Sequence, residues 1–309
     1  FVEEGELFAA PNGAGFYGVP FLVDPLILYA NRTILSSSGI AQIPSTWEAL
    51  TGLVPRGATL TASRQITRAL IALGTYDNVR DARAILSTLF LQTGVPVVAR
   101  SVTGVLAADL GEATSGSGVP AGHAVRRFFT QFADSTKVSY TWNASLPDSQ
   151  QAFLNGDVAF YIGYASEARF LTAANPNLDF DAAPLPQPAT ATSKATYGLT
   201  YALMIPKGAK NPAGAYSAAA LLVNDAEQSG AAGATGLAPA SRSTLAALPA
   251  DPVASVAYTS ALFAKGWLSP TPADTDQIFS SMITSVNSGR STIDTALSVA
   301  ERSLSALLQ

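Results

Sequence analysis

The chain has 309 residues, enough for two lobes around separate cores; 48% are hydrophobic, only 13% are charged and the net charge is −4. That balance excludes a disordered tail, and without long charge runs it argues against nucleic acid or an anionic membrane as the main partner. No cysteine is present, which excludes disulfides, thiol nucleophiles and cysteine-ligated zinc, and no apolar run approaches the ~20 residues of a membrane helix.

In chain order, residues 1–18 are Gly-rich and polar, with no signal-peptide pattern and Phe1 opening inside an acidic loop. Val19 to Tyr29 is apolar and broken by Pro20, Asp24 and Pro25, so it reads as a strand, a crossing and a second short strand. Ser45-Thr46-Trp47-Glu48 has capping-box spacing and predicts a helix start. Trp47 is expected to pack beneath that helix. Ile66 to Thr75 reads as a buried strand closed by Gly74. Asp77 and Asn78 suit the next helix N-terminus, since Val79, Ala82, Leu86, Leu89 and Phe90 share one face. Gly94 would stop that helix.

Residues 111–122 read as a Gly/Ser/Pro loop, followed by an amphipathic helix marked by Val125, Phe128, Phe129 and Phe132. Asn155-Gly156 is a tight turn before a strand from Asp157 to Gly163. Gly198 to Pro206 is an apolar strand, and Pro212 sits at the first position of a helix through Tyr216 and Leu222. Residues 229–239 read as an Ala/Gly loop. Ile293, Leu297, Ala300, Leu304 and Leu308 form the stripe of a C-terminal helix. Short strands alternating with helices predict an α/β fold with helices covering the sheets.

Several signals are set aside. Gly13-Ala14-Gly15-Phe16-Tyr17-Gly18 matches G-x-G-x-x-G, but no strand precedes it and Pro20 forbids an immediate helix. No G-x-S-x-G elbow or P-loop occurs. His123 is the only histidine, so a histidine metal site is impossible, and it reads as a solvated loop residue. Asn31-Arg32-Thr33 and Asn143-Ala144-Ser145 are glycosylation sequons by pattern only.

Seven segments, in order, carry a resemblance. They are Tyr17-Gly18-Val19-Pro20-Phe21 with Asp24 and Leu28-Tyr29-Ala30-Asn31-Arg32; the helix from Ser45-Thr46-Trp47-Glu48-Ala49-Leu50; Phe153-Leu154-Asn155-Gly156-Asp157-Val158-Ala159-Phe160; Ala183-Pro184-Leu185-Pro186; Gly198 to Lys207; Asn211-Pro212; and Ser288 to Leu297. Together they resemble the maltose-binding-protein-like solute-binding proteins of ABC importers, extracellular solute-binding family 1. The family has strand–helix units ahead of the Tyr-Gly-Val-Pro-Phe strand, where only 16 residues stand here. The resemblance therefore implies a longer native chain whose first lobe is incomplete at its N-terminus in this sequence.

What the resemblance implies is a two-lobe periplasmic-binding-protein fold of type II. Lobe 1 would comprise 1–23 and 201–264, and lobe 2 would comprise 26–197 and 267–309, with hinge crossings near 23–26, 197–200 and 265–267. Closure on a ligand would form the surface that the permease reads. The implied function is reversible capture of a small hydroxylated solute, a sugar or oligosaccharide, with no covalent chemistry and no cofactor. The implied partners are the transmembrane subunits of an ABC permease; the protein would be a monomer outside the cytoplasm, in the periplasm or lipid-anchored at the outer face of the cytoplasmic membrane.

Asp24 matches a family acid on the crossing strand that accepts from sugar hydroxyls; the alternative is a solvated turn carboxylate. Tyr76, Asp77 and Asn78 stand where a strand meets a helix, the usual ligand crevice of an α/β sheet, although Asp77 can also be read as an N-cap. Tyr164, Ser166 and Glu167 follow the central strand, with Ser166 where the family often has a stacking tryptophan; the alternative reading of Tyr164 is a core residue. Asp276 replaces another stacking tryptophan of some members, which argues against a long malto-oligosaccharide. Tyr197, Gly198 and Tyr201 mark the second crossing, and Trp142, Trp267 and Arg242 are weaker cleft candidates. Two other classes compete: a glycosidase using Asp24 and Glu167 as its carboxylate pair, and a sensor or adhesion module built on the same clamp.

Overall fold

A computed structural model describes residues 7–10, 13–16, 18–100, 105–111 and 118–308. Tyr17, the first residue of the Tyr-Gly-Val-Pro-Phe segment, lies outside them. The chain is α/β. Its strands are β1 (Leu7–Ala10), β2 (Gly13–Phe16), β3 (Val19–Asn31), β4 (Thr59–Leu60), β5 (Ile66–Ile71), β6 (Val97–Arg100), β7 (Leu106–Asp109), β8 (Val158–Tyr164), β9 (Phe180–Pro184), β10 (Thr196–Leu203), β11 (Ala238–Pro239) and β12 (Ala264–Lys265). Against the expectation, a strand does precede the G-x-G-x-x-G match, since β1 pairs with β2 in an antiparallel hairpin, but the next described element is the strand β3 and no helix follows.

β6 and β7 pair antiparallel in a separate sheet, and the remaining eight strands are organised around β3. The crossing expected at Asp24-Pro25 does not break it: the strand runs 13 residues without interruption. What changes there is its company. From Val19 to Pro25 it pairs antiparallel with β10, and at Leu22–Val23 also with β11. From Leu26 to Asn31 its partners are β8 and β9. β5 joins β8 in parallel and β4 closes that edge, while β12 pairs in parallel with the start of β10. Leu26 to Ala30 are fully buried, with the helices Arg32–Ser37, Ser149–Asn155 and Pro252–Ala261 packed against β8 or β9 beside them. An aromatic stack fixes the layer beneath: Tyr29 lies 5.9 Å from Tyr161 and Phe153 lies 5.5 Å from Tyr161, ring centre to ring centre, both near parallel.

The helix Ala82–Gln92 packs against β10 and the helix Ala121–Thr130, with Val79, Ala82, Leu86, Leu89 and Phe90 all buried. It starts later than Asp77-Asn78 suggest, because the Asn78 side chain is engaged elsewhere. Asn78 Oδ1 accepts from Thr75 Oγ1 at 2.5 Å and from Trp142 Nε1 at 3.3 Å, and its Nδ2 donates to the carbonyls of Asn143 and Leu146, both at 2.9 Å. Gly94, at φ +82°, ends the helix as expected. The capping-box helix begins at Trp47, but Thr46 is the cap, accepting from the Ala49 amide, and Glu48 instead accepts from the Ala189 amide.

Two sequence expectations fail outright. Residues 229–235 belong to the helix Asp225–Thr235, because alanine is the strongest helix former and Asn224 caps it; Gly236, at φ +81°, stops it. His123 lies in the helix Ala121–Thr130, not in a loop, and its Nδ1 sits 2.9 Å from Asp294.

The helix Pro252–Ala261 packs against β9 and β3 as well as β11. The helix Pro212–Leu222 buries none of its residues and leaves Tyr216 and Leu221 exposed.

Candidate functional site

Where β5 and β8 end and β3 changes partners, several side chains converge on one cleft of about 670 Å³. It is lined by Tyr76, Asp77, Asp81, Arg83, Tyr164 and Asp276, with Ser280 at its side. Tyr76 and Asp77 come from the turn after β5, Tyr164 is the last residue of β8, and Asp276 and Ser280 lie on the helix Pro272–Asn287. The Tyr76 hydroxyl donates to Asp276 Oδ1 at 2.7 Å, and Arg83 Nε lies 3.3 Å from the same oxygen. Arg83 Nη1 also donates to Ser269 Oγ at 3.3 Å. Ser280 donates to Asp77 Oδ1 at 3.0 Å. Burial, then the Asp276 carboxylate, push the Tyr76 hydroxyl pKa far up, so it stays a protonated donor.

Beneath this rim lies a layer of acids. Asp24 is 2% exposed, and its carboxylate accepts from the Ser166 amide at 3.1 Å and the Ser166 hydroxyl at 2.6 Å. It is thus neither a solvated turn residue nor a free carboxylate. Burial pushes its pKa up to about 6 against the pull of those hydrogen bonds. Glu167 accepts from Gln150 Nε2 at 2.5 Å, the Tyr161 hydroxyl at 2.6 Å and the Tyr164 amide at 2.8 Å. It folds back over Gly163, where an added Cβ would stand 2.7 Å from the Glu167 carboxylate, so only glycine permits the arrangement. Asp81, beside them, is raised to about 7, by burial first and then by the negative charge of Glu167. It occupies left-handed backbone at φ +56°, a conformation that aspartate tolerates better than most residues.

The segment carrying these groups is clamped to β3. The Ala165 amide donates to the Pro25 carbonyl at 3.0 Å, and the Tyr29 hydroxyl donates to the Tyr164 carbonyl at 2.7 Å. The floor of the cleft is therefore tied to the point where β3 hands over from one set of partners to the other.

Of the residues singled out in the sequence, Tyr76, Asp77, Tyr164 and Asp276 line the cleft, and Asp24, Ser166 and Glu167 form the layer below it. Asn78 points into the scaffold. Tyr197 and Gly198 line a second hollow of about 740 Å³, together with Arg242, Lys265 and Trp267. Tyr201 is 48% exposed on β10. Trp142 is buried, and Trp267, also buried, donates to Ser87 Oγ at 2.9 Å. Asp81 and Arg83 escaped the sequence reading, which used helix 82–92 only for its apolar face. Their signal was charge at the polar start of an otherwise buried helix.

Among the described residues of the cleft no nucleophile–base pair is assembled. Each oxygen of Asp24 and Glu167 already accepts an internal hydrogen bond, so neither is presented as a hydrolytic acid or nucleophile. The arrangement offers carboxylates, one guanidinium and aromatic faces, a set suited to holding a polar solute.

A family description, bacterial extracellular solute-binding protein, matches residues 5–261. Among curated protein sequences none matches. In three dimensions the chain is similar to the GacH receptor of Streptomyces glaucescens GLA.O, solved unliganded and with acarbose, at a TM-score of 0.70 and 17% identity, over 97% of this chain and 73% of that one. It is similar to a cyclic alpha-maltosyl-1,6-maltose binding protein from Arthrobacter globiformis at 0.72 and 18%, over 97% and 73%. Likeness to UgpB from Mycobacterium tuberculosis, in complex with glycerophosphocholine, is 0.69 and 18%, over 97% and 72%. At such identities these similarities speak for the fold.

Proposed function

The chain belongs to the bacterial extracellular solute-binding proteins, and from that premise we propose that it captures a small hydroxylated solute, a sugar or oligosaccharide, in the cleft between Tyr76 and Asp276. The observation that carries this reading is the convergence of Tyr76, Asp77, Arg83, Tyr164 and Asp276 on one cleft above the β3 handover. Carboxylates and a guanidinium hold hydroxyls through charge-assisted hydrogen bonds, and tyrosine faces cover the apolar side of a ring. Sugars named with the similar structures from Streptomyces and Arthrobacter lend support.

The family acts outside the cytoplasm as the binding component of solute import. In our reading the captured solute passes to the transmembrane subunits of an ABC permease, the protein works as a monomer, and it is free in the periplasm or lipid-anchored. Among the described residues no helix is long and apolar enough to cross a membrane.

Clamping requires two halves. We assign one half to 18–25 and 198–245 and the other to 26–197 and 252–308. This moves the third crossing from 265–267 to 246–251, because the helix Pro252–Ala261 packs against β9, which pairs only with the second half of β3. Closure then follows from a solute that touches both halves in the closed state.

Calorimetry of the whole chain against sugars, polyols, peptides and amino acids tests the reading. We expect heat from at least one hydroxylated solute, lost when Tyr76→Ala and Asp276→Ala are combined. Silence across the panel would overturn it.

A further inference from the structure

The charges in the cleft say more than that it is polar. The one arginine lining it among the described residues, Arg83, is committed to Asp276 at 3.3 Å and to Ser269 at 3.3 Å. Asp77 is held by the neutral Ser280 hydroxyl, and Asp81 lies within ion-pair distance of no cation among the described residues. Arg80, the next cation along the chain, stands 3.9 Å from Asp148. Behind Asp81 come Glu167, held by Gln150, Tyr161 and the Tyr164 amide, and Asp24, held by Ser166; all four are neutral donors.

The cleft and its floor thus gather four carboxylates, Asp24, Asp77, Asp81 and Glu167, that no cation contacts directly. A low-dielectric wall raises the cost of leaving such charges uncompensated; without a cation Asp24 and Asp81 relieve it by holding protons, up to about pH 6 and 7, and Asp81 shares a hydrogen bond with Glu167, protons that a bound cation would draw off. Hydroxyls can donate to these oxygens but bring no positive charge. A protonated amine does both, through stronger charge-assisted hydrogen bonds, and the faces of Tyr76 and Tyr164 attract a cation further. Uronates and phosphates meet the opposite field and are repelled.

Resting on the cleft reading above, we propose that the solute carries a protonated amine as well as hydroxyls, and that the amine docks at Asp81 in the cleft walled by Tyr76 and Tyr164. Amino sugars are the class that fits. Arg83 and Asp276, already paired, serve the hydroxyl end.

Matched solutes separate this inference from the broader one. Calorimetry of the whole chain at pH 7 compares glucosamine with N-acetylglucosamine and glucose, and the β-1,4-linked glucosamine disaccharide with its N-acetylated form and cellobiose. Glucuronate, phosphorylated sugars and linear polyamines complete the set. We expect the tightest binder to be an amine-bearing sugar, favoured about tenfold or more over its neutral counterpart. Asp81→Asn should abolish that preference; asparagine tolerates the left-handed backbone at this position, and circular dichroism checks the fold. A neutral or anionic sugar that binds as tightly overturns the amine inference and leaves solute capture standing. So does a polyamine that outcompetes every sugar. An amine preference that survives Asp81→Asn overturns the docking point. Silence across the set removes both readings at once.

Discussion

Asp24 shows how one residue can serve geometry at the expense of stability. It sits 2% exposed at the handover of β3, and its ties to Ser166 bind the segment after β8 to that strand. Its position next to a proline in an apolar run was visible in the sequence; its burial was not, because the covering segment lies 142 residues away. Burial raises its pKa from 3.8 to about 6. Between those values the folded protein keeps a proton that the unfolded chain has lost. Stability therefore falls as pH rises across that window, by roughly 3 kcal/mol from this group alone, and the loss is complete above pH 6. Asp24→Asn should flatten this descent. Urea unfolding of both proteins at pH 4, 5, 6 and 7 reads it directly. A descent of equal size in the variant would mean that the buried carboxylate is not its source.

At the scale of elements, the helix Ala82–Gln92 explains what was legible and what was not. Its apolar face followed from 3.6-residue spacing. Its buried polar residues were silent, because their partners lie far away in the chain. Thr88 Oγ1 accepts from the Tyr197 amide at 2.9 Å. Gln92 Nε2 donates to the Ala195 carbonyl at 3.0 Å, and its Oε1 accepts from Trp47 Nε1 at 2.7 Å. Ser87 accepts from Trp267. One helix thereby pins the start of β10, where we place the second crossing, and the segment after β12. For the same reason Asn78 looked like a cap and proved to be scaffold: its Oδ1 accepts from the Thr75 hydroxyl and Trp142 Nε1 instead of from the amides of a helix start. Thr88→Val should leave the Tyr197 amide buried and unpaired, destabilising by about 1–3 kcal/mol, whereas Thr88→Ser, which keeps the hydroxyl, should lose much less. Chemical denaturation of the two variants gives the comparison; equal losses would assign the effect to packing rather than to the hydrogen bond.

Across the whole molecule, the order of segments was readable because each is a local pattern, whereas the boundary between halves was not, because it is set by packing. Nothing in Pro252–Ala261 itself reveals that it lies on β9, the contact on which we base a third crossing earlier in the chain than the sequence suggests. In the clamp we propose, β3 runs unbroken through both halves, so closure would have to be absorbed by twist at residues 24–26 together with 197–200 and 246–251. The absence of cysteine makes this measurable without removing native thiols. Lys207→Cys in one half and Ala174→Cys in the other, both exposed positions, can carry a donor and an acceptor dye. We expect the transfer efficiency to change on adding a solute that releases heat in calorimetry, and to saturate at the same dissociation constant. A matching shrinkage of the radius of gyration should appear in X-ray scattering. Binding heat with unchanged transfer and an unchanged radius would mean that the solute is held by one rigid surface, and the clamp would have to be abandoned even though the cleft remained.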